Sequence, residues 1–285
     1  MGKWPALDKI EMIDGPVDDK TYDHELRKLQ TRLLELQIHY LHDRRRAVLG
    51  FDGWDAAGKG GLIGRVVDGL EPKSVHVWRI GAPNADEQGR HYLWRFWQRL
   101  PAPGDWGIFD RTWYGRVLVE RIEEFCTKSE WKRAYREINE FERQLSDDGV
   151  CIIKILVHVS AEEQKQRMLE RLDNPHKRYK IGPEDFRNIA RRKEYLEAYD
   201  DMLDRTDTDH APWHVIATDN KKHARLEGLK IIVDALGRGM TLSEPTLDPV
   251  VAEAAFKMWG WTPESAKEDE KDNDKKNGKK NGDKK

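Results

Sequence analysis

A glycine-rich segment early in the chain has the residue types and spacing needed to bind phosphate. Gly53, Gly58 and Lys59 fit the pattern G-x-x-x-x-G-K. In that pattern, backbone N–H groups cradle phosphate oxygens and the lysine neutralises the terminal ones. Gly60 and Gly61 follow the lysine, so the Ser or Thr that usually ligates Mg²⁺ is missing. The segment therefore predicts a phosphate-binding loop that holds its metal in another way.

An aspartate, Asp55, lies inside this predicted loop. A carboxylate about 4 Å from a phosphate repels it by on the order of 4 kcal/mol at an effective dielectric constant of about 20. A bridging Mg²⁺ turns this repulsion into coordination. Asp110, at the end of another predicted strand, suits the second acid that holds Mg²⁺ in phosphate-loop enzymes. An ordinary turn or helix-cap aspartate is the alternative for Asp110, but beside the glycine loop we favour Asp55 and Asp110 as a metal pair.

Basic residues that could balance phosphate charge lie in two places. Arg111 directly follows Asp110, and its planar fork suits bidentate binding of a phosphoryl group. Residues 164–193 contain ten Lys or Arg against four acidic residues. Such a run is usually a solvated face, but this one spans a break between helices where phosphate-transfer enzymes carry a mobile lid. Arg171, just before the break, is our first choice for stabilising the transferring group.

Arg116 and Arg121 are predicted on the helix after Asp110. Arg116 has Glu120 four residues later, so a simple helical ion pair is one interpretation. In the other interpretation, the two arginines extend a positive track away from the loop. The ten histidines are scattered along the sequence, and we assign none of them to catalysis.

Alternating strands and helices must position these residues. A short apolar strand at 47–51 runs into the glycine loop, and a helix is predicted from about residue 60, which is the context a phosphate loop requires. The alternation indicates an α/β fold whose parallel sheet is covered on both faces, with ligands at the carboxyl ends of the strands. Further strands are predicted at 74–80, 106–110, 150–159 and 213–217, and further helices at 22–43, 86–100, 116–125, 129–145, 160–172, 184–204 and 221–236.

The bulk composition excludes several classes of protein. The 285 residues suffice for one large domain or two small ones, and 50 basic against 52 acidic residues leave a net charge of −2 that favours no particular partner. Cys126 and Cys151 form no disulfide framework, which suits a reducing cytosol. No apolar run of ~18 residues suggests a membrane span, and we see no secretory signal. The residues from Glu264 onward are predicted to be disordered.

These residues resemble a known family, polyphosphate kinase 2. The resemblance rests on the run Asp55-Ala-Ala-Gly-Lys-Gly-Gly61, on Asp110-Arg-Thr-Trp-Tyr114, and on the basic stretch from Arg167 to Lys180. The family usually has Ser where Thr112 stands. Further matches, such as Ile138-Asn-Glu-Phe-Glu142, extend the resemblance from about residue 21 to 238. An aspartate inside the loop combined with Asp-Arg-x-Trp-Tyr is far more specific than a phosphate loop alone.

The resemblance implies a P-loop fold similar to thymidylate kinase, a three-layer α/β/α sandwich with a helical lid at about 164–193. It implies phosphoryl transfer between inorganic polyphosphate and a nucleotide, with Mg²⁺ held at Asp55 and Asp110. Lys59, Arg111 and Arg171 match the family's phosphate-handling residues, and Arg116, Arg121, Lys177 and Lys180 could line a polyphosphate channel. The run from Tyr114 to Arg121 looks most like the branch that acts on AMP, with ADP or GDP as other acceptors. Family members are commonly homo-oligomers.

The resulting domain prediction has four parts: an N-terminal arm at 1–20, a P-loop kinase domain at 21–240, a C-terminal arm at 241–263 and a charged tail at 264–285.

Three rival functions remain. An ATP-dependent nucleoside monophosphate kinase would normally keep Ser or Thr at position 60. A nucleotide switch would read guanine with Asn-Lys-x-Asp, whereas Asn220-Lys-Lys-His223 lacks the acid. The third rival is a non-catalytic polyphosphate-binding protein. We expect neither nucleic acid nor a membrane as a partner.

Overall fold

The computed structural model describes residues 4–13, 15, 17–241 and 247–262. One compact unit ends at residue 242 and a second begins at 243. In the first unit the strands are β1 (Arg46–Gly53), β2 (Val75–Arg79), β3 (Trp106–Asp110), β4 (Val150–His158) and β5 (Trp213–Ala217). Its helices are α1 (Asp19–His42), α2 (Lys59–Val67), α3 (Trp94–Trp97), α4 (Val119–Ile122), α5 (Lys128–Asp147), α6 (Ala161–Asp173), α7 (Pro183–Ala190), α8 (Arg192–Thr206) and α9 (Lys221–Leu236). The described part of the second unit contains α10 (Pro249–Trp259).

The five strands form one parallel sheet in the order β2-β3-β1-β4-β5. β1 and β4 are buried along nearly their whole length, as expected for parallel strands covered on both faces. Helix α9 contacts β4 and β5 and packs against α1 and α2, whereas α5 contacts β4 and packs against α8. The predicted α/β class with a parallel sheet is therefore confirmed. β1 lies in the middle, so its carboxyl end opens into the phosphate loop at the centre of the sheet edge.

The strands predicted at 106–110 and 213–217 match β3 and β5, and the helix predicted at 221–236 matches α9. The helix predicted at 86–100 is wrong, because only Trp94–Trp97 is α-helical there. The Asn84 side chain accepts hydrogen bonds from the amides of Asp86 and Glu87, and Gly89 has φ +74°. Both features favour turns over a continuous helix.

Two other predicted helices are divided in the structure. The segment at 184–204 contains α7 and α8, separated at Arg191. The segment at 116–125 contains the end of a 3₁₀ turn (Trp113–Arg116) followed by α4. Within the described ranges, no helix is long and apolar enough to cross a bilayer. The predicted tail from Glu264 onward and part of the C-terminal arm lie outside the described residues.

Candidate active site

The predicted phosphate loop connects β1 to α2 at the carboxyl edge of the sheet. Gly53 has φ +133°, and a Cβ there would lie 2.1 Å from the Val157 carbonyl oxygen, so no larger residue fits without a backbone shift. Gly58 caps α2 with φ +107° and Ala56 adopts φ +62°, so the loop turns through left-handed backbone before the helix begins. Gly60 and Gly61 then lie in the first turn of α2, the end of a helix that suits anion binding.

Lys59 folds back toward the loop that precedes it. Its Nζ donates to the carbonyl oxygens of Gly53 (2.5 Å) and Trp54 (3.0 Å). Burial lowers the pKa of Lys59, while the negative charges of Asp55 and Asp110 oppose that change. Desolvation, the largest influence, therefore lowers the pKa of Lys59 despite the nearby carboxylates.

The structure brings the two predicted metal ligands to the same edge of the sheet. Asp110 ends β3 opposite Phe51 of β1, two residues before the loop begins at Gly53. Arg111 follows in left-handed conformation (φ +70°), and its amide donates to the Phe51 carbonyl oxygen at 2.9 Å. The Arg111 guanidinium then lies 3.3 Å from Asp55 Oδ1. Desolvation disfavours the charged guanidinium, but Asp55 and Asp110 outweigh it and raise the pKa of Arg111.

Two carboxylates are a donor set that suits Mg²⁺, which takes one or two protein carboxylates and completes its shell with substrate phosphates and water. Throughout the described residues, no group of three or more His, Cys, Asp or Glu side chains is placed to hold a metal. Asp55 and Asp110 therefore fit a metal shared with a phosphate ligand better than a site made of protein ligands alone.

A cavity of about 240 Å³ adjoins the loop and carries much of the predicted countercharge. Arg171, Lys177 and Lys180 line it beside Ala56 and Gly58. Two further cations that our sequence analysis missed, Lys221 and Arg225, enter from the first turns of α9. Their spacing of four residues after a buried strand was the signal that could have found them.

Arg116 and Arg121 are placed differently from the lid cations. Arg116 Nε lies 2.9 Å from Glu120, the helical pair that was one of the two interpretations. Arg121 donates to Asp201 at 2.7 Å and lies 4.4 Å from the ring centre of Trp131. Neither arginine lines the cavity beside the loop. Their role in a polyphosphate channel stays a prediction.

Arg167 supports the loop through buried hydrogen bonds, a role that its place in the basic segment 164–193 did not predict. The buried guanidinium donates to the carbonyl oxygens of Ala56 (3.1 Å) and Ala57 (3.2 Å), and also to the Thr218 and Asp219 carbonyls. Its Nε pairs with Glu163 at 2.7 Å. These bonds tie the loop to α6 and to the segment that follows β5. The helical spacing of Arg167 and Glu163 gave no indication that Arg167 also contacts the loop carbonyls.

Three more polar residues contact the candidate site. Asn188 of α7 donates to Asp55 Oδ2 at 2.7 Å, and the Gln164 amide donates to the Asp55 carbonyl oxygen at 2.9 Å. Asp52, buried one residue before Gly53, accepts from the Thr112 hydroxyl at 2.6 Å, and burial raises its pKa. This bond ties the end of β1 to the turn that carries Arg111. We found no sequence signal for these contacts.

Comparison with known proteins places the chain in a defined group. The family model described as Polyphosphate kinase 2 matches residues 16–241. The chain is 45% identical over 236 residues to a polyphosphate:AMP phosphotransferase of Pseudomonas aeruginosa, covering 81% of this chain and 48% of the relative. An ADP-polyphosphate phosphotransferase of the same organism is 39% identical over 216 residues, covering 76% of this chain and 71% of that protein.

A solved structure agrees with these matches. The crystal structure of polyphosphate kinase 2 from Arthrobacter aurescens superimposes with a TM-score of 0.81 at 30% identity, covering 89% of this chain and 93% of that one. The chain spans about half the length of the polyphosphate:AMP phosphotransferases it matches.

Proposed function

We propose, from the premise that the chain belongs to the polyphosphate kinase 2 family, that it transfers the terminal phosphoryl group between inorganic polyphosphate and a nucleotide. AMP is the acceptor we propose first, because the relative at 45% identity is named for AMP. ADP and GDP are further candidates, and the transfer is reversible. One observation carries the proposal: Asp55, which lies inside the phosphate loop, pairs with Arg111 of the turn after β3, and the loop adjoins a cationic cavity.

Three cations handle the transferring group in this proposal. Lys59 from the loop, Arg111 from the turn after β3 and Arg171 from α6 neutralise its oxygens from different directions. Asp55 and Asp110 hold Mg²⁺, which when bound offsets the charge that develops on the phosphate oxygens. Asp55 has a second possible role, which is to orient or deprotonate the acceptor phosphate.

The chemistry is an in-line displacement with no covalent enzyme intermediate. A phosphate oxygen of the nucleotide attacks the terminal phosphorus of polyphosphate while the bond to the bridging oxygen breaks. The nucleotide gains one phosphoryl group and the polymer shortens by one phosphate unit. Because the transition state needs positioning and charge neutralisation more than proton transfer, fixed cations are what the protein must supply.

A long polyanion needs more countercharge than one nucleotide does. Lys177 and Lys180 line the cavity beside the loop and are the first part of the polyphosphate track that we propose. Arg116 and Arg121 extend it in our proposal, although both are paired with acids in this structure. Salt-sensitive binding of polyphosphate would be the expected consequence of such a track.

The proposal also covers the organisation of the chain. Residues 21–240 form the kinase domain, residues 164–193 act as its lid, and the active form is a homo-oligomer, as the family resemblance implies. The free thiols of Cys126 and Cys151 support a cytoplasmic location.

The donor decides between this proposal and its nearest rival. The protein is incubated with AMP, polyphosphate and Mg²⁺ without ATP, and ADP formation is followed, with ADP and GDP as parallel acceptors. We expect nucleotide products that require both polyphosphate and Mg²⁺. If ATP is the better donor for AMP, the protein is an ordinary nucleoside monophosphate kinase. No product from any nucleotide would leave a polyphosphate-binding protein as the surviving alternative.

A further inference from the structure

Asn188 of α7 contacts a carboxylate that stands at the centre of the proposed chemistry. Its Nδ2 donates to Asp55 Oδ2 at 2.7 Å, while Arg111 approaches Asp55 Oδ1 at 3.3 Å. The two oxygens of Asp55 are therefore held from opposite directions, by the segment 164–193 and by the turn after β3. The backbone oxygen of Asp55 is also engaged, by Gln164. Asp55 thus has little freedom to rotate.

A second residue holds the other end of the Asn188 amide. The Tyr195 hydroxyl lies 3.0 Å from Asn188 Oδ1 and donates to it. Because the Asp55 carboxylate only accepts hydrogen bonds, it takes the donor Nδ2, and Asn188 Oδ1 is left to accept from Tyr195. Burial raises the pKa of Tyr195, so its hydroxyl keeps the proton it donates. The flipped amide would set its oxygen against the carboxylate and lose the hydrogen bond to Asp55 Oδ2.

Tyr195 is in turn fixed by the loop itself. It is buried, and its ring lies 6.2 Å from the ring of Trp54, the residue before Asp55. The Trp54 indole donates to His158 at 2.8 Å, and Arg192 stacks over it at 4.0 Å. The chain of contacts therefore runs from the loop through Trp54 and Tyr195 to Asn188 and back to Asp55.

We propose that Asn188 is a positioning residue that orients the Asp55 carboxylate, and that Tyr195 acts through Asn188. The inference rests on the proposed function for the role of Asp55, but the contacts themselves do not. Hydrogen bonds that orient a ligating carboxylate are worth about 10- to 100-fold in activity or metal affinity. Removing Asn188 should therefore impair turnover more than substrate binding.

A kinetic double-mutant cycle tests the order of action. The variants are Asn188→Ala, Tyr195→Phe and the two combined, and Asn139→Ala on α5 is the matched control. Asn139 also donates one amide hydrogen bond, to the Arg205 carbonyl, but lies outside the site. We expect Asn188→Ala to lower kcat about 10- to 100-fold with KM values for AMP and polyphosphate within about twofold. Tyr195→Phe should have a smaller effect alone and none in the Asn188→Ala background.

The outcomes that overturn the inference are equally specific. If kcat of Asn188→Ala stays within twofold of the unmodified protein, Asn188 does not orient Asp55. If the losses from Asn188→Ala and Tyr195→Phe simply add, Tyr195 does not act through Asn188. A loss in Asn139→Ala as large as in Asn188→Ala would mean that the effect reports general destabilisation.

A readout without substrates separates this inference from the proposed function. The contact of Asn188 with Asp55 anchors α7, so its loss should speed tryptic cleavage at the basic residues of 177–193 by about tenfold, the factor that one hydrogen bond to a charged group supports. Asn139→Ala should be cleaved like the unmodified protein. If the unmodified protein transfers no phosphoryl group but Asn188→Ala is still cleaved faster, the proposed function fails and the contact stands. If transfer occurs but kcat and cleavage of Asn188→Ala are unchanged, the positioning inference fails.

Discussion

Lys59 and Lys154 both keep an ammonium group largely inside the protein, but their surroundings differ. Lys154 on β4 donates to Glu142 Oε2 (2.8 Å), to the Tyr114 hydroxyl (2.9 Å) and to the Thr206 carbonyl (2.7 Å). These bonds use all three of its protons. Lys59 donates to two loop carbonyls, and no carboxylate of the described residues forms an ion pair with it. The charge of Lys154 is therefore balanced by an ion pair with a carboxylate, whereas Lys59 forms hydrogen bonds with neutral carbonyls.

The difference separates a structural charge from one that we propose binds a ligand. Glu142 Oε1 accepts from both the Trp113 indole (2.9 Å) and the Tyr114 hydroxyl (2.7 Å), so the network around Lys154 is closed and has no place for a ligand. A buried pair of this kind rigidifies its surroundings, here the turn that follows Arg111. The charge of Lys59 instead lies against the phosphate loop, beside the carboxylates of Asp55 and Asp110. We therefore expect substitution of Lys154 to lower stability and substitution of Lys59 to lower activity.

The largest effect should follow from opening the closed network. Lys154→Met leaves the Glu142 charge buried without its partner, and we expect the free energy of unfolding to fall by about 3–5 kcal/mol. Urea unfolding measures this change. The double variant Lys154→Met/Glu142→Leu should recover roughly half of the loss, since Trp113 and Tyr114 still lack their acceptor. A cost below about 1 kcal/mol for the single variant would remove the contrast between the two lysines.

Lys59→Ala should show the opposite behaviour. Because its charge serves the ligand rather than the fold, we expect kcat to fall about 10²- to 10³-fold while the free energy of unfolding changes by less than about 1 kcal/mol. Steady-state transfer from polyphosphate and urea unfolding measure the two quantities. Lys230→Ala, an exposed lysine on α9, is the matched control and should change neither. Full activity in Lys59→Ala would show that the site is assigned wrongly.

The smallest effect concerns acid sensitivity behind the loop. His158 Nδ1 accepts from the Trp54 indole, and burial, followed by the charge of Arg192, lowers the pKa of His158 to about 4 from 6.5. Between these values the unfolded chain binds the additional proton, so stability falls as the pH decreases from about 6.5 to 4. The expected loss between pH 7 and pH 4.5 is about 2–3 kcal/mol, at about 1.4 kcal/mol for each unit of pKa difference.

Unfolding free energies measured at pH 7 and pH 4.5 test this effect. His158→Gln keeps an acceptor near Trp54 but does not titrate, so its stability should depend less on pH in this window. Equal pH dependence in both proteins would mean that other groups cause the acid sensitivity.

The local part of this site was predictable from neighbouring residues. The spacing of Gly53, Gly58 and Lys59 requires left-handed backbone at defined positions, and the structure has φ +133° and +107° at the two glycines. The apolar strand before the loop and the helix after it follow the same local logic. Asp110 and Arg111 were recognisable because they directly follow a buried strand. The prediction of a helix at 86–100 was wrong because apolar periodicity takes no account of the turns that Asn84 and Gly89 favour.

The roles of the basic segment were not predictable in the same way. Ten cations at 164–193 look equivalent in sequence, yet Arg167 is buried and donates to the loop carbonyls of Ala56 and Ala57, whereas Lys177 and Lys180 are exposed cations on the cavity beside the loop. The composition gives the number of charges but not the carbonyl or acid that each side chain contacts. The same limit applies to Arg116, for which an ion pair with Glu120 and a ligand track were equally consistent with the spacing.

The sequence by itself determined a phosphate loop with an internal aspartate, a second acid and arginine after a neighbouring strand, and a basic segment downstream. Backbone geometry and the alternation of strands and helices follow from residues close together in the chain, so they leave local signals. Only the tertiary structure decided that Asn188 donates to Asp55, that Arg167 donates to Ala56 and that Lys154 pairs with Glu142. The first two contacts join residues more than 100 positions apart. They exist only once the assembled sheet brings separate elements to a common edge.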